Sequence, residues 1–317
     1  MNAQFQSRWA VELTAFVRFK NAMGFPYKRS IATLQNFDRF AASLEWKRSQ
    51  DMAALTHAWL SHSRPRKPVT VTNELGVLRQ FCRFRQRYEP RAFVPDRTWA
   101  PQSAESLFAP YIFTDEEIRR ILATTARVNA SPRSRRCYRL LILVLYCTGL
   151  RIGEALSLRR CDFDPKRACF HVGPSKGRVR WVPFHQDLAR ELRHWLKHDC
   201  PDSCAESYLF ASDNGLQRRV KNVSHNLRVL FRRCRLKATS GRTGPRCHDL
   251  RHTMAVHRLQ RWYREGRDPQ QLLPWLSAYL GHRNLLGTEL YLHATPELLA
   301  TASRRLHRQL TATPDIQ

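Results

Sequence analysis

Between residues 89 and 112 the chain loses every sign of regular structure. Pro90, Pro95, Pro101 and Pro110 punctuate the stretch, and no apolar period survives from Arg97 to Ser106. Proline lacks the amide hydrogen that a helix or central strand needs, and it pushes the preceding residue toward extended backbone. One core cannot run through such a segment. The chain therefore reads as a domain over residues 1–90, a linker over 91–110 and a second domain over 111–317.

The first domain reads as helices only. Apolar residues recur at helical spacing through Phe5–Met23 (Trp9, Leu13, Phe16, Phe19) and Ile31–Leu44 (Leu34, Phe37, Phe40). A third helix covers 51–61, and a fourth runs Val69–Tyr88 with Leu75, Leu78, Phe81 and Phe84. That fourth helix carries Arg79, Arg83, Arg85 and Arg87 against Glu74 alone. Basic residues on a helix are usually a solvated face, but this imbalance points to a surface that meets phosphates.

The second domain opens on Thr114-Asp115-Glu116-Glu117, a capping box ahead of Ile118 and Ile121. It is mostly helical, with a small β region between about 160 and 185. There Phe170–Val172 and Val179–Val182 alternate around Pro174-Ser175-Lys176-Gly177 and read as a hairpin. Helices are expected near 187–198, 218–236, 249–265, 270–280 and 296–310. The fold class is mainly α with a small antiparallel β region.

Charge narrows the partner. Lys and Arg number 54 against 26 Asp and Glu, a formal net charge of +28. Self-repulsion of that size calls for a polyanion, and nucleic acid fits because each neutralised phosphate releases counterions. A ribosomal or structural nucleic-acid binder would share the composition, so charge names the partner class and not the activity. Nine cysteines without paired spacing, no signal peptide, and no apolar run near the ~20 residues of a membrane span point to the cytoplasm, reduced thiols and no membrane. Cys200 and Cys204 lie near His194 and His198, but the spacing fits no common zinc module and reads as a surface cluster.

Four segments of the second domain hold reactive groups. In Thr148-Gly149-Leu150-Arg151-Ile152-Gly153-Glu154 a buried helix ends at Gly149, and Arg151 opens the next, a good place for an anion. Lys176 sits at the hairpin tip. In His248-Asp249-Leu250-Arg251-His252 the i, i+3 spacing places His248 and Arg251 on one helix face. Leu280-Gly281-His282 is followed nine residues later by Tyr291. Singly, each has a plainer reading: an exposed arginine, a solvated lysine, a structural histidine, a core tyrosine. Jointly they suit a phosphodiester. Two guanidinium groups match two non-bridging oxygens, a lysine or histidine can protonate a leaving oxygen, and a phenol can attack phosphorus. Neither an acidic metal cluster nor a glycine-rich nucleotide loop is evident, so the chemistry is expected to run with no metal, no ATP and no cofactor.

The order and context of these segments resemble the tyrosine recombinase (phage integrase) family: Thr-Gly-Leu-Arg151 with Glu154, Lys176 before Val182-Pro183, His248-x-x-Arg251-His, Leu-Gly-His282, and Tyr291. The resemblance covers about residues 111–310, and the basic helical first domain resembles the family's core-binding domain by architecture. It implies a site-specific DNA recombinase that cleaves and rejoins strands through a 3′-phosphotyrosyl intermediate, in integration, excision or transposition of a mobile element. The implied partners are double-stranded DNA and a homo-tetramer on paired sites, or an assembly with related recombinases. Arg151 and Arg251 would clamp the scissile phosphate, His248 would assist proton transfer, and His282 would hydrogen-bond a phosphate oxygen. Lys176 would be the general acid and Tyr291 the nucleophile. Glu154 would brace the site, and the neighbouring His252 and His293 are expected to be structural. His248 and His282 stand farther apart than is usual in the family, the extra length falling around Trp262–Arg267. Two other readings remain open: a type IB topoisomerase, and a catalytically silent DNA-binding protein on the same fold.

Overall fold

The computed structural model describes residues 4–25, 27–44, 51–61, 66–101, 110–175, 178–200, 204–237, 244–282 and 284–293, and beyond them only 300, 303, 304 and 307. The chain divides into two compact units, residues 1–107 and 108–317.

Among its described residues the first unit holds four α-helices: α1 (Ala10–Ala22), α2 (Lys28–Ser43), α3 (Met52–Ser61) and α4 (Pro68–Arg85). Their apolar stripes meet in one core of Leu13, Phe16, Leu34, Phe37, Leu55, Trp59, Leu78 and Phe81. Each fully buried Phe or Leu there contributes roughly 1.5–3 kcal/mol. The buried Asp38 carboxylate on α2 accepts the backbone N–H groups of Gln6 and Ser7 at 2.7 and 3.0 Å, pinning the chain ahead of α1. Phe93 and Val94 pack on this core, and Trp99 meets Phe93 at 5.4 Å between ring centres. Part of the stretch read as linker thus belongs to the first unit's packing.

The second unit follows the order α5 (Asp115–Thr125), α6 (Pro132–Thr148), α7 (Ile152–Ser157), β1 (Phe163–Asp164), β2 (Cys169–Ser175), β3 (Arg178–Pro183), α8 (Gln186–His198), α9 (Val220–Arg233), α10 (Asp249–Arg264), α11 (Pro269–Leu280) and the short α12 (Leu286–Glu289). The expected capping box is present at α5, Thr114 Oγ1 accepting from Glu117 N at 3.2 Å and Glu117 Oε2 from Thr114 N at 3.0 Å. The apolar run of α6 (Leu140, Leu141, Ile142, Val144, Leu145) is buried in one core with Phe170 and Val182 of the sheet, Leu192 of α8 and Phe231 of α9. The three strands form one antiparallel sheet in the order β1-β2-β3, with Phe170 opposite both Phe163 and Val182. The two-residue β1 escapes sequence reading because it is too short to show alternation. Helix α10 runs on to Arg264, and Gly266 turns the chain in the left-handed region at φ 72°, so the extra length before His282 goes partly into the helix. No helix among the described residues is long and apolar enough to cross a membrane. Of the helix expected at 296–310, only Ala300, Ser303, Arg304 and His307 are described, and all four are helical.

Candidate active site

The site is built on two left-handed glycines and one helix end. Helix α6 stops at Gly149, φ 62°, where an added Cβ would stand 2.4 Å from Met254 Cε and 2.9 Å from Leu280 Cδ2. Only glycine takes that conformation in that space without strain. The turn delivers Arg151 to the N-terminus of α7, where its backbone N–H donates to Glu154 Oε2 at 2.9 Å and its Nη1 to Glu154 Oε1 at 2.9 Å. Arg180 on β3 donates to the same carboxylate at 2.9 and 3.3 Å. Burial alone would raise the Glu154 pKa. Hydrogen bonds from Arg180 and the Arg151 backbone, with both charges, outweigh it and hold the carboxyl below its ordinary range.

Helix α11 ends at Gly281, φ 69°. A helix C-terminus leaves its last carbonyls without intrahelical donors and carries about half a negative charge. Three consecutive carbonyls here take three arginines. Arg180 Nε donates to Tyr279 O at 2.9 Å, Arg251 Nη2 to Leu280 O at 2.7 Å, and Arg151 Nη2 to Gly281 O at 3.3 Å. This is the physical content of the Leu-Gly-His motif. Arg251 is also held by Gly149 O at 2.7 Å and is only 1% exposed. Its Nε has no hydrogen-bond partner among the described residues. Burial and the Arg151 charge bring its pKa down to about 10, so it stays cationic at neutral pH.

Tyr291 follows α12 in a tight turn, Leu290–His293, and is buried against Met254, Ala255, Leu276 and Leu280. Its hydroxyl lies 3.2 Å from His252 Nδ1. Burial raises the phenol pKa while Arg251 draws it down. The His282 ring stacks on Tyr291 at 6.2 Å, and its Nδ1 is 2.7 Å from the hydroxyl of the buried Thr288. His248, at the start of α10, is exposed and meets His252 edge-on at 4.8 Å. Partial desolvation by neighbouring protein atoms, with the charges of His252, Arg251, Arg151 and Arg246, pushes its pKa down.

Of the expected catalytic residues, Arg151, His248, Arg251, His282 and Tyr291 come together, while Lys176 lies outside the described residues. One residue was read differently from the sequence, and another was not singled out. His252, expected to be structural, touches the Tyr291 hydroxyl. Arg180 bridges β3, Glu154 and α11, and it left one signal: it shares the inward strand face with the buried Val182, where a charge needs a buried partner.

In the first unit, the expectation of four arginines on one phosphate-facing surface needs correction. Arg85 turns inward, stacked over the Trp9 ring at 4.3 Å and paired with Glu12 and Glu89 at 3.5 and 3.1 Å. It leaves the helix roughly 140° around the axis from the line of Arg79 and Arg83. Arg83 and Arg87 are exposed and Arg79 half-buried. The lone acid on α4, Glu74, is taken up by Arg66 at 2.5 Å.

The phage integrase family model matches residues 112–297, more than half of the chain. The protein y4rB of Sinorhizobium fredii, named as an integrase/recombinase, is 32% identical over 304 residues, 93% of this chain and 95% of that protein. Tyrosine recombinase XerA of Thermococcus kodakarensis is 32% identical over 232 residues, 73% of this chain and 74% of that one. Among solved structures, the XerH site-specific recombinase bound to its palindromic difH substrate has the same fold, with a TM-score of 0.65 at 18% identity over 97% of this chain and 91% of that one. With the family matched over most of the second unit and a relative 32% identical along nearly the whole length, the chain belongs to the phage integrase family, the tyrosine recombinases that cut and rejoin DNA at specific sites through a phosphotyrosyl bond.

Proposed function

We propose that the chain recombines double-stranded DNA at paired sites, in the integration, excision or transposition of a mobile element, with Tyr291 as the nucleophile. The observation that carries this is the meeting of a phenol, two fixed guanidinium groups and three histidines drawn from separate parts of the sequence. Tyr291 Oη would attack the scissile phosphorus and hold the 3′-phosphate, conserving the bond energy so that rejoining needs no ATP. Arg151 and Arg251 would grip the two non-bridging oxygens and stabilise the charge that builds in the transition state. The unpartnered Nε–H of Arg251 supports this role. His282, with Nδ1 committed to Thr288, would offer Nε2 to a phosphate oxygen. His248 would assist proton transfer, and Lys176 would protonate the departing 5′-oxygen. Glu154 would hold Arg151 in place. No step calls for a metal or cofactor. Tyr291 is closed off from solvent at 1% exposure, so DNA binding has to open a path to its hydroxyl.

Residues 1–90 would serve as the core-binding domain, with Arg79, Arg83 and Arg87 on phosphates, and residues 111–317 as the catalytic domain. Recombination between two sites would use four protomers, all of this chain or mixed with related recombinases. That XerH was captured on its difH substrate supports the DNA partner.

A nicked suicide substrate tests the reading. Wild-type protein should become covalently attached to the DNA with or without EDTA, and Tyr291→Phe should bind but form no adduct. A protease-sensitive adduct in that variant would place the nucleophile elsewhere. Relaxation of supercoiled plasmid lacking cognate sites would favour the topoisomerase alternative.

A further inference from the structure

We propose that His252 is the base that takes the proton from Tyr291 as the phenol attacks the scissile phosphate, a role that rests on Tyr291 being the nucleophile. Its Nδ1 stands 3.2 Å from the hydroxyl, and the two side chains are buried together, at 7% and 1% exposure. His282 directs its Nδ1 to Thr288, and His248 lies edge-on against the His252 ring.

The direction of the bond follows from donor chemistry. Arg251 lies beside the phenol oxygen, and a guanidinium can only donate. Between these two neighbours the single phenol proton has one acceptor, His252 Nδ1, so the ring carries its own proton on Nε2. Burial lowers the His252 pKa to about 4, with Arg246 and Arg251 adding to the effect and Asp249 opposing it. His248 and His282 are the other titratable groups close by. The ring is therefore neutral at pH 7 and free of a proton at the nitrogen facing Tyr291. A base this weak gains strength when the negative scissile phosphate arrives, because an adjacent anion favours the imidazolium. Proton abstraction is thereby tied to having substrate in the site.

The step balances. The Oη–H bond breaks and its proton moves to His252 Nδ1; the Oη–P bond forms. The P–O5′ bond breaks with its electron pair going to the 5′-oxygen, which takes a proton from the acid assigned to Lys176. In rejoining, the 5′-hydroxyl gives its proton back to the Lys176 amine as its oxygen forms the P–O5′ bond, and the P–Oη bond breaks with Oη taking its proton from the His252 imidazolium.

The test is single-turnover adduct formation by the full-length protein on two duplexes, one ordinary and one with sulfur in place of the bridging 5′-oxygen, a leaving group that needs no acid. His252→Ala and His252→Gln should each slow cleavage about 100-fold or more on both duplexes. Lys176→Ala should be slow on the oxygen duplex and restored on the sulfur one. Glutamine keeps an acceptor near the phenol but cannot take its proton, so near-normal cleavage by His252→Gln would make the contact a holding bond and overturn the proposal. Rescue of the His252 variants by sulfur would move the residue to the leaving-group side, and faster cleavage would mean that the bond restrains the phenol; either result overturns it. Unchanged DNA affinity and melting in His252→Gln identify the loss as chemical. An adduct surviving in Tyr291→Phe sinks the underlying reading, whereas a silent Tyr291→Phe beside a normal His252→Gln sinks only this one.

Discussion

Arg151 and Arg251 come from different helices yet donate to neighbouring carbonyls of one helix end, Gly281 O at 3.3 Å and Leu280 O at 2.7 Å. Two like charges are thereby held close before any phosphate is present. The repulsion is offset by the negative end of α11 and by the Glu154 carboxylate, and the pair is pre-arranged for an anion.

Arg151→Ala and Arg251→Ala should each slow DNA cleavage by at least about 100-fold, corresponding to roughly 3 kcal/mol or more of lost transition-state stabilisation. Lysine should rescue poorly at either position, since the planar fork is lost. The two variants should differ in stability. Arg251 satisfies two carbonyls from a fully buried position, so Arg251→Ala should lower the melting temperature more than Arg151→Ala, whose side chain is 25% exposed. Single-turnover kinetics and thermal melts check both parts.

Glu154→Gln should cost about 3–5 kcal/mol, because Arg180 is left nearly buried without its counter-charge. The folded-state pKa of Glu154 is held below its ordinary value of 4.5, so its stabilising contribution is complete above that value and is lost as pH falls through the depressed one. Urea titrations across acidic pH should show this loss in the wild type and not in Glu154→Gln. Equal acid sensitivity in both would remove Glu154 from the account.

His252 and His282 titrate near pH 4 in the folded chain against 6.5 for a free imidazole. Between those values the unfolded chain binds more protons, so stability should fall as pH drops from about 6.5 toward 4, each histidine adding a slope approaching one proton. His252→Gln and His282→Asn should each flatten the dependence. An unchanged slope in denaturation measured over this window would contradict the burial of these rings.

Arg83→Ala in the last turn of α4, and Arg87→Ala just beyond the helix, should weaken DNA binding and reduce the salt slope by roughly 0.9 each, whereas Arg85→Ala should leave the slope alone and lower stability through its contacts with Trp9 and Glu12. Salt-dependent affinity measurements separate the two classes. A slope change for Arg85→Ala as large as for Arg83→Ala would return Arg85 to the DNA-facing set.

Local signals carried much of the outcome. Helical periodicity gave α1–α4, the Thr114 box gave the start of α5, and Gly149 marked the end of α6, because such features depend on a few adjacent residues. The motif residues could be named one by one for the same reason. What only the tertiary structure decided is which groups meet. Arg180, Glu154 and the carbonyls of Tyr279–Gly281 are distant in sequence, and no local pattern announces that they share charge. His252 looked like a spare neighbour of Arg251 until the turn at Leu290–His293 brought the Tyr291 hydroxyl to its Nδ1. Arg85 looked like one more phosphate contact until Trp9 and Glu12 packed around it. Spacing along a helix fixes the direction in which a side chain leaves the backbone; burial, hydrogen-bond partner and pKa are set by what the rest of the chain places there.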